Sequence, residues 1–471
     1  MSRPPIRASS AGYLRESFAH PPTRPFAAYS TTSPGSFTNG VGSAKRPMST
    51  MLSESTPISK PWLESRDPFA RIAYFLTYAV IFLGFAGSAI RCYFGYVDVP
   101  MIKSNLCLVF EDDFDTGGST EFSSSGKWFQ EIELGGFGNG EFEITTSSTN
   151  NSFVNDGKLY IVPTLTSDNI GADAIFNGYT YNLTDCTYND TQNVYPAAVT
   201  ASSGSSSFNA AAYYQACGAV SNSSTDAVIP PAQSARLSTR NSASIRYGKV
   251  EVRAKLPTGD WLWPAIWMLP VNNTYGAWPM SGEIDIMESR GNGISYSKQG
   301  SNYVRASLNW GPVTFINAVA KTFGWWTQKR SSYADDFHTY TLEWTEDFLR
   351  TYADTRLHGT LSLRFNEPFF DRGDFPAVVQ NGTDSIVLEN PWVNGTNAAP
   401  FDQPFYLILD VAVGGTSGWF PDNADNKPWI DGSLTAMHDF AKNQDTWYST
   451  WPQDPTERGM VVDSVKMWQQ C

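Results

Sequence analysis

The chain has 471 residues, too many for one ordinary domain and enough for a large core. Aromatic residues make up 14 % and charged residues only 17 %, a usage that suits β-strands or a groove that stacks flat ligands. The net charge of −13 excludes a nucleic-acid partner, because phosphates call for Lys and Arg.

Residues 1–71 are a basic head. They carry nine Lys or Arg against four Asp or Glu, so the remainder carries −18. Residues 1–60 are rich in Ser, Pro, Thr, Gly and Ala without periodicity. Such a stretch buries too little apolar surface to offset chain entropy, and a disordered cytoplasmic tail is expected. Ile72–Ile90 then runs 19 residues without a charge, bounded by Arg71 and Arg91. A helix of about 20 apolar residues crosses a bilayer, so a span over 72–94 and a stem over 95–104 are expected. It lies too far into the chain for a cleaved signal peptide. The basic head stays in the cytoplasm by the positive-inside rule, which makes a type II anchor with the body lumenal or extracellular. Glycosylation sequons agree with this topology. They occur at Asn150, Asn182, Asn189, Asn222, Asn272, Asn381 and Asn394, and none precedes the span.

The body, 105–471, reads as all-β. Short apolar runs such as "CLVFEDDF", "KLYIVPTL", "YGKVEVRAKL", "HTYTLEWT", "FLRTYAD", "PFYLILDVAVGG" and "DSVKMWQQ" stand between Gly, Asn, Asp and Pro clusters. Val250, Val252 and Ala254 alternate with Glu251, Arg253 and Lys255. Many such strands predict an antiparallel β-sandwich or barrel. An Asn- and Ser-rich insertion covers about 167–232. Of five cysteines, four lie beyond residue 100 and none forms a CxxC pair, which speaks against zinc. In an oxidising compartment they form two disulfides. Sequence leaves the connectivity open; the expected pairs are Cys186 with Cys217, closing one loop, and Cys107 with Cys471, tying the domain ends.

"GEIDIMES", residues 282–289, holds Glu283, Asp285 and Glu288 among Ile284, Ile286 and Met287. On a regular strand Glu283 and Asp285 share a face and Glu288 points the other way. That would bury an unpaired charge among apolar residues. One extra residue between Asp285 and Glu288, a β-bulge, returns Glu288 to the acid face. Ile284 and one of Ile286 and Met287 then face the core. Two Glu four strand positions apart have Cα atoms about 13 Å apart, and leaning side chains close this to the ~5 Å of retaining glycosidases. A crowded acid takes up a proton more readily, as a general acid requires. A solvated acidic edge strand is the plainer alternative, and three interleaved large apolar residues argue against it.

Aromatics crowd this motif. Trp261, Trp263, Trp267 and Trp278 precede it; Trp310, Trp325, Trp326, Trp344 and Trp419 follow. Trp278 is the natural substrate contact, Trp310 a further one, and Trp344 a core residue. His338 suits either a cleft residue bonding one of the acids or a structural histidine. No GxSxG, HExxH or phosphate-loop motif occurs, so serine hydrolase, zinc hydrolase and nucleotide-binding chemistry lack support.

E-x-D-x-x-E at 283–288, with "GGFGNGEFE", "QSARLST", "YGKVEVRAKLPTGDWLWPAIWMLP" and "VDSVKMWQ", resembles glycoside hydrolase family 16, the laminarinase-like branch, over roughly 107–471. The resemblance implies a curved β-jelly-roll sandwich and a retaining endo-β-1,3-glucanase. It assigns Glu283 as nucleophile, Asp285 as assisting acid and Glu288 as acid/base. Trp278 and Trp267 match aromatic positions of the glycan cleft, and Asn139 and Glu141 fall in its bordering loop. No cofactor is implied. Some members hold a structural calcium near the chain ends, for which Asp463 and Glu111, Asp112 and Asp113 would serve. The insertion is similar to that of animal β-1,3-glucan recognition proteins, which bind glucan and have lost catalytic acids; all three acids stand here. Asn309 departs from a frequent His and is expected to touch none of the acids, and Asp410 departs from a frequent Asn with little effect. The expected partner is β-glucan. Hydrolysis, glucan transfer in cell-wall remodelling, and non-catalytic glucan binding are the three functional readings, in that order.

Overall fold

A computed structural model describes residues 60–61, 68–115, 125–188 and 210–471. The expectation of a disordered tail over 1–71 falls almost wholly outside these residues, as does Asn189. Helix Ala70–Val97 begins two residues before the expected span and ends three beyond it. Its 28 residues measure about 42 Å at 1.5 Å per residue, and none of its side chains is buried. It is the one helix among the described residues long and apolar enough to cross a bilayer.

The compact unit Gly95–Cys471 is dominated by two large antiparallel sheets. In the first, the neighbours run Gly359–Arg364, Phe348–Ala353, His338–Trp344, Gly248–Lys255, Met460–Gln470, Lys158–Ile161 and Ser152–Asn155, and Leu106–Asp112 also pairs with Met460–Gln470. In the second they run Phe323–Thr327, Tyr303–Asn309, Glu283–Glu288, Leu262–Pro270, Phe405–Val413, Arg236–Ser238 and Phe129–Glu131. Runs of consecutive strands lie side by side at one end of each sheet, whereas other neighbours, such as Gly248–Lys255 and Met460–Gln470, are far apart in the chain, so the chain crosses between the sheets.

The core lies between the sheets because strand alternation sends one side chain in two inward. Val250, Val252 and Leu342 come from the first sheet, and Ile266, Met268, Ile284, Leu308 and Leu407 from the second. Gly248–Lys255 follows the predicted alternation along its whole length. Leu262–Pro270 and Phe405–Val413 are buried on both faces. Leu262, Ile266 and Met268 of the first strand and Phe405, Leu407, Leu409 and Val411 of the second join the core, while Ala265, Trp267, Leu269, Tyr406 and Ile408 form a separate cluster on the opposite side. That opposite side of the second sheet is where the acids lie. Trp344 is fully buried, as expected.

Both disulfides form as expected, Cys107–Cys471 and Cys186–Cys217. The described parts of the insertion contain helix Ala210–Cys217 and an antiparallel pairing of Thr180–Asn182 with Gly218–Val220. Ile175 and Ile229 of the insertion form a small cluster with Leu134, Ile144 and Ala441 from outside it. The six described sequon asparagines are all exposed.

The residues named for calcium do not fit an ion. Asp463 pairs with Arg253 at 2.8 Å, Glu111 with Lys466 at 2.7 Å, and Asp112 with Lys127 at 3.0 Å. Asp112 also accepts from Trp128 Nε1 at 2.8 Å. Among the described residues no three His, Cys, Asp or Glu gather as metal ligands. Charge balance at this end of the domain is met by Lys and Arg instead.

Candidate active site

Gly282 starts the acid strand at φ +82°, and a Cβ there would lie 2.9 Å from the Phe401 ring. Only glycine meets both conditions. The strand Glu283–Glu288 then pairs on one side with Leu262–Pro270 and on the other with Tyr303–Asn309. The register breaks on both sides between Asp285 and the Met287–Glu288 end: Trp267 faces Asp285, Ile266 faces Met287 and Ala265 faces Glu288, which leaves Ile286 as the extra residue. This is the predicted bulge. It carries one correction, since Ile286 and Met287 both pack in the core rather than one of them. The bulged backbone turns two successive side chains inward.

The bulge aligns the acids with a second row. Glu283 lies opposite Asn309, Asp285 opposite Ser307 and Glu288 opposite Arg305. Directly opposite side chains share a face, so three acids meet three polar residues. Asn309 Nδ2 donates to Glu283 Oε1 at 2.7 Å and to Asp285 Oδ2 at 2.8 Å. Ser307 Oγ donates to Asp285 Oδ2, and lies 3.3 Å from Glu288 Oε2. Trp278 Nε1 donates to the other oxygen of Glu283 at 3.0 Å. Trp263 Nε1 donates to Glu288 Oε1 at 3.2 Å.

Electrostatics divide the three carboxyls. Burial, then the charge of Glu288, pushes Glu283 up to about 7, while donors from Trp278 and Asp285 oppose the rise. Asp285 stands well above the carboxylate range, through burial and the charges of Glu283 and Glu288. Its side-chain hydrogen bond to Glu283 opposes the rise there, so the negative charge of the pair falls more readily on Glu283. Burial also raises Glu288, against the pull of Arg305 and Trp263.

The cleft around the acids is lined by Phe137, Asn139, Glu141, Trp263, Trp267, Trp278 and Asp410. The expected Trp278, Trp267, Asn139 and Glu141 are thus brought together with the acids. Asn139 donates to Glu141 at 2.9 Å, and Trp267 donates to Asp410 at 2.7 Å. Burial pushes Asp410 up to about 7 against the nearby Arg236. Arg236 itself pairs with Glu131 at 2.8 Å and lies over the Phe137 and Trp267 rings at 4.2 and 4.6 Å. Asp410 is therefore a wall of the cleft, a larger part than its substitution for Asn suggests.

Three expectations are corrected. Trp310 is 0 % exposed; it packs on Phe369 and Trp392 and donates to Thr322 at 2.7 Å, so it belongs to the core. His338 lies on the first sheet, away from the acids, and pairs with Asp354 at 2.8 Å. Asn309, expected to miss the acids, bonds two of them. Ser307 and Trp263 received no role from sequence. "ASLNW" placed Ser307 and Asn309 on one face two residues apart, but only the register shows that this face meets Glu283 and Asp285.

Comparison with known proteins assigns the class. The family model for glycosyl hydrolases family 16 matches residues 202–382. The β-1,3-glucan-binding protein of Penaeus monodon is 38 % identical over 401 residues, which cover 82 % of this chain and 98 % of that one. The chain belongs to glycosyl hydrolase family 16, in the laminarinase-like branch. Glucan endo-1,3-β-glucosidase A1 of Niallia circulans is 36 % identical over 196 residues, 41 % of this chain and 24 % of that enzyme. The solved laminarinase of Rhodothermus marinus covers 78 % of this chain and 99 % of its own at 24 % identity, with a TM-score of 0.44.

Proposed function

We propose that the protein is a membrane-anchored, retaining endo-β-1,3-glucan hydrolase. The observation behind this reading is the set of three carboxyls on one bulged strand, each with its own donors. Glu283, held by Trp278 and Asn309, attacks the anomeric carbon as the anion. Glu288 protonates the departing glycosidic oxygen, and a glycosyl ester with Glu283 remains. Glu288 then takes a proton from water, which attacks the same carbon and releases Glu283. Asp285 returns its hydrogen bond to Glu283 as the leaving carboxylate charge reappears. Trp267 and Trp278 offer faces for sugar rings. Helix Ala70–Val97 is read as the anchor, with the glycosylated, disulfide-bonded body outside the cytoplasm.

If a second glucan replaces water, the same ester gives transfer, as cell-wall remodelling requires. Glucan binding without cleavage is the other reading, supported by the name of the Penaeus monodon relative. The test is incubation of the detergent-solubilised chain with laminarin beside Glu283→Gln. Sugar release by the parent chain and none by the variant supports the enzyme; longer products mark transfer. Laminarin binding with neither release nor rearrangement ends the enzyme reading. A mobility shift on removal of N-glycans tests the topology.

A further inference from the structure

The cleft does not stop at the acids. Cross-strand partners share a face, and the row through Glu288 runs on to Arg305 and then to Trp325 on the edge strand Phe323–Thr327. The row through Asp285 runs on to Ser307 and then to Phe323. Phe323 and Trp325 therefore lie on the acid face. Trp325 is 49 % exposed and Phe323 38 %, whereas most aromatics of this unit are buried. The two rings stack on each other, centroids 5.8 Å apart at 22°.

They are joined to the acids by continuous packing. Trp263, which donates to Glu288, stacks on Trp419 at 4.9 Å and 10°. The Arg305 guanidinium lies 5.6 Å over Trp419 and 4.8 Å over Phe323. The stack leads from the acid/base outward to the sheet edge, and its exposure rises along the way.

The walled part of the cleft lies on the other side of the acid strand, among Trp267, Asp410 and Glu141. A covalent intermediate must stay held while the leaving sugar departs and its replacement enters. The walled side suits the sugar bonded to Glu283, and the open aromatic side suits the exchange. We propose that Phe323, Trp325 and Arg305 form the binding strip for the leaving-group side of a β-glucan chain, and for an incoming glucan acceptor. The strip rests on the glucan-hydrolase reading above. Flat aromatic faces and a guanidinium match sugar C–H faces and hydroxyls.

The test compares the full chain in detergent with Trp325→Ala, Trp325→Tyr and Trp326→Ala. Trp326 shares the strand but faces the other way, against His358 at 4.9 Å, and controls for damage to the edge. Laminarihexaose is the probe, by titration calorimetry and by digestion after labelling its reducing end. Trp325→Ala is expected to weaken binding about tenfold, the scale of one aromatic contact. Trp325→Tyr should restore most of it, and Trp326→Ala should change it less than twofold. The labelled fragments should shorten in Trp325→Ala, because fewer sugars are gripped beyond the acids. Parent-like affinity of Trp325→Ala, an equal loss in Trp326→Ala, or labelled fragments that lengthen would overturn the strip. So would an effect of Trp325→Ala on self-association alone. A parent chain that binds but releases no sugar ends the hydrolase reading, and the affinity comparison still judges the strip.

Discussion

The side-chain nitrogen of Asn309 lies 2.7 Å from Oε1 of Glu283, and its orientation is fixed from behind. Asn317 Nδ2 donates to Asn309 Oδ1 at 2.7 Å, so the Asn309 oxygen is engaged and its nitrogen must face the acids. Asn317 is held in turn by the backbone N–H groups of Trp310 and Val319. An amide does not titrate, so this donor serves Glu283 and Asp285 at every working pH.

Asn309→Ala removes one donor from two buried carboxyls. An unsatisfied buried acceptor costs about 1–3 kcal/mol, and kcat/KM should fall roughly 10- to 100-fold. Glu283 becomes harder to ionise, so the acid limb of the pH–rate profile should move to higher pH. Asn309→Asp adds a fourth carboxyl and should move it further. A profile measured on laminarin that stays in place would show that Asn309 does not hold Glu283.

Trp263→Phe keeps an aromatic ring beside Trp419 and deletes the donor to Glu288. Glu288 works protonated at first, and removing a donor to its charged form raises its proton affinity. The alkaline limb should therefore shift upward, with turnover reduced roughly tenfold. A downward shift contradicts the assignment of Glu288 as the acid.

Asp285→Asn bears on stability. The folded protein holds the Asp285 proton more tightly than the unfolded chain does, so stability falls as pH rises from the usual Asp range near 4 toward the raised folded value. Asn copies the neutral acid, with its oxygen toward Ser307 and Asn309 and its N–H₂ toward Glu283. The variant should melt at higher temperature than the parent at pH 8, and the gap should close at about pH 4 and below. Thermal unfolding at the two pH values decides it. Equal curves at pH 8 would mean that ionising Asp285 costs the fold nothing.

Cys107–Cys471 joins residues 364 apart and ties the strand Leu106–Asp112 to its partner Met460–Gln470. Closing so long a loop restricts the unfolded chain, and Cys107→Ser should cost about 2–5 kcal/mol. Cys186–Cys217 spans 31 residues in the insertion, and Cys186→Ser should lower the melting temperature less. Calorimetry of the two variants compares them directly.

Much of the site was legible because its errors of phase are local. Glu288 out of step with Glu283 and Asp285 required an extra residue, and alternation along one strand needs no knowledge of its neighbours. Alternation also holds within Tyr303–Asn309: Arg305, Ser307 and Asn309 face the cleft, while Val304, Ala306 and Leu308 join the core. Trp310 follows the core set, and that phase would have removed it from the cleft. His338 could not be placed this way, since its strand gives no sign of which sheet it enters.

From its residues alone the chain declared an apolar span, an antiparallel β body, two disulfides and a strand of three acids with a bulge. Each of these depends on spacing over a few residues, on composition, or on cysteine number. Tertiary structure decided which donors serve which acid. Glu283 and Asn309 are 26 positions apart, Trp267 and Asp410 are 143. Such pairs meet only through strand order and register, and those follow from how two whole sheets bury their inner faces together.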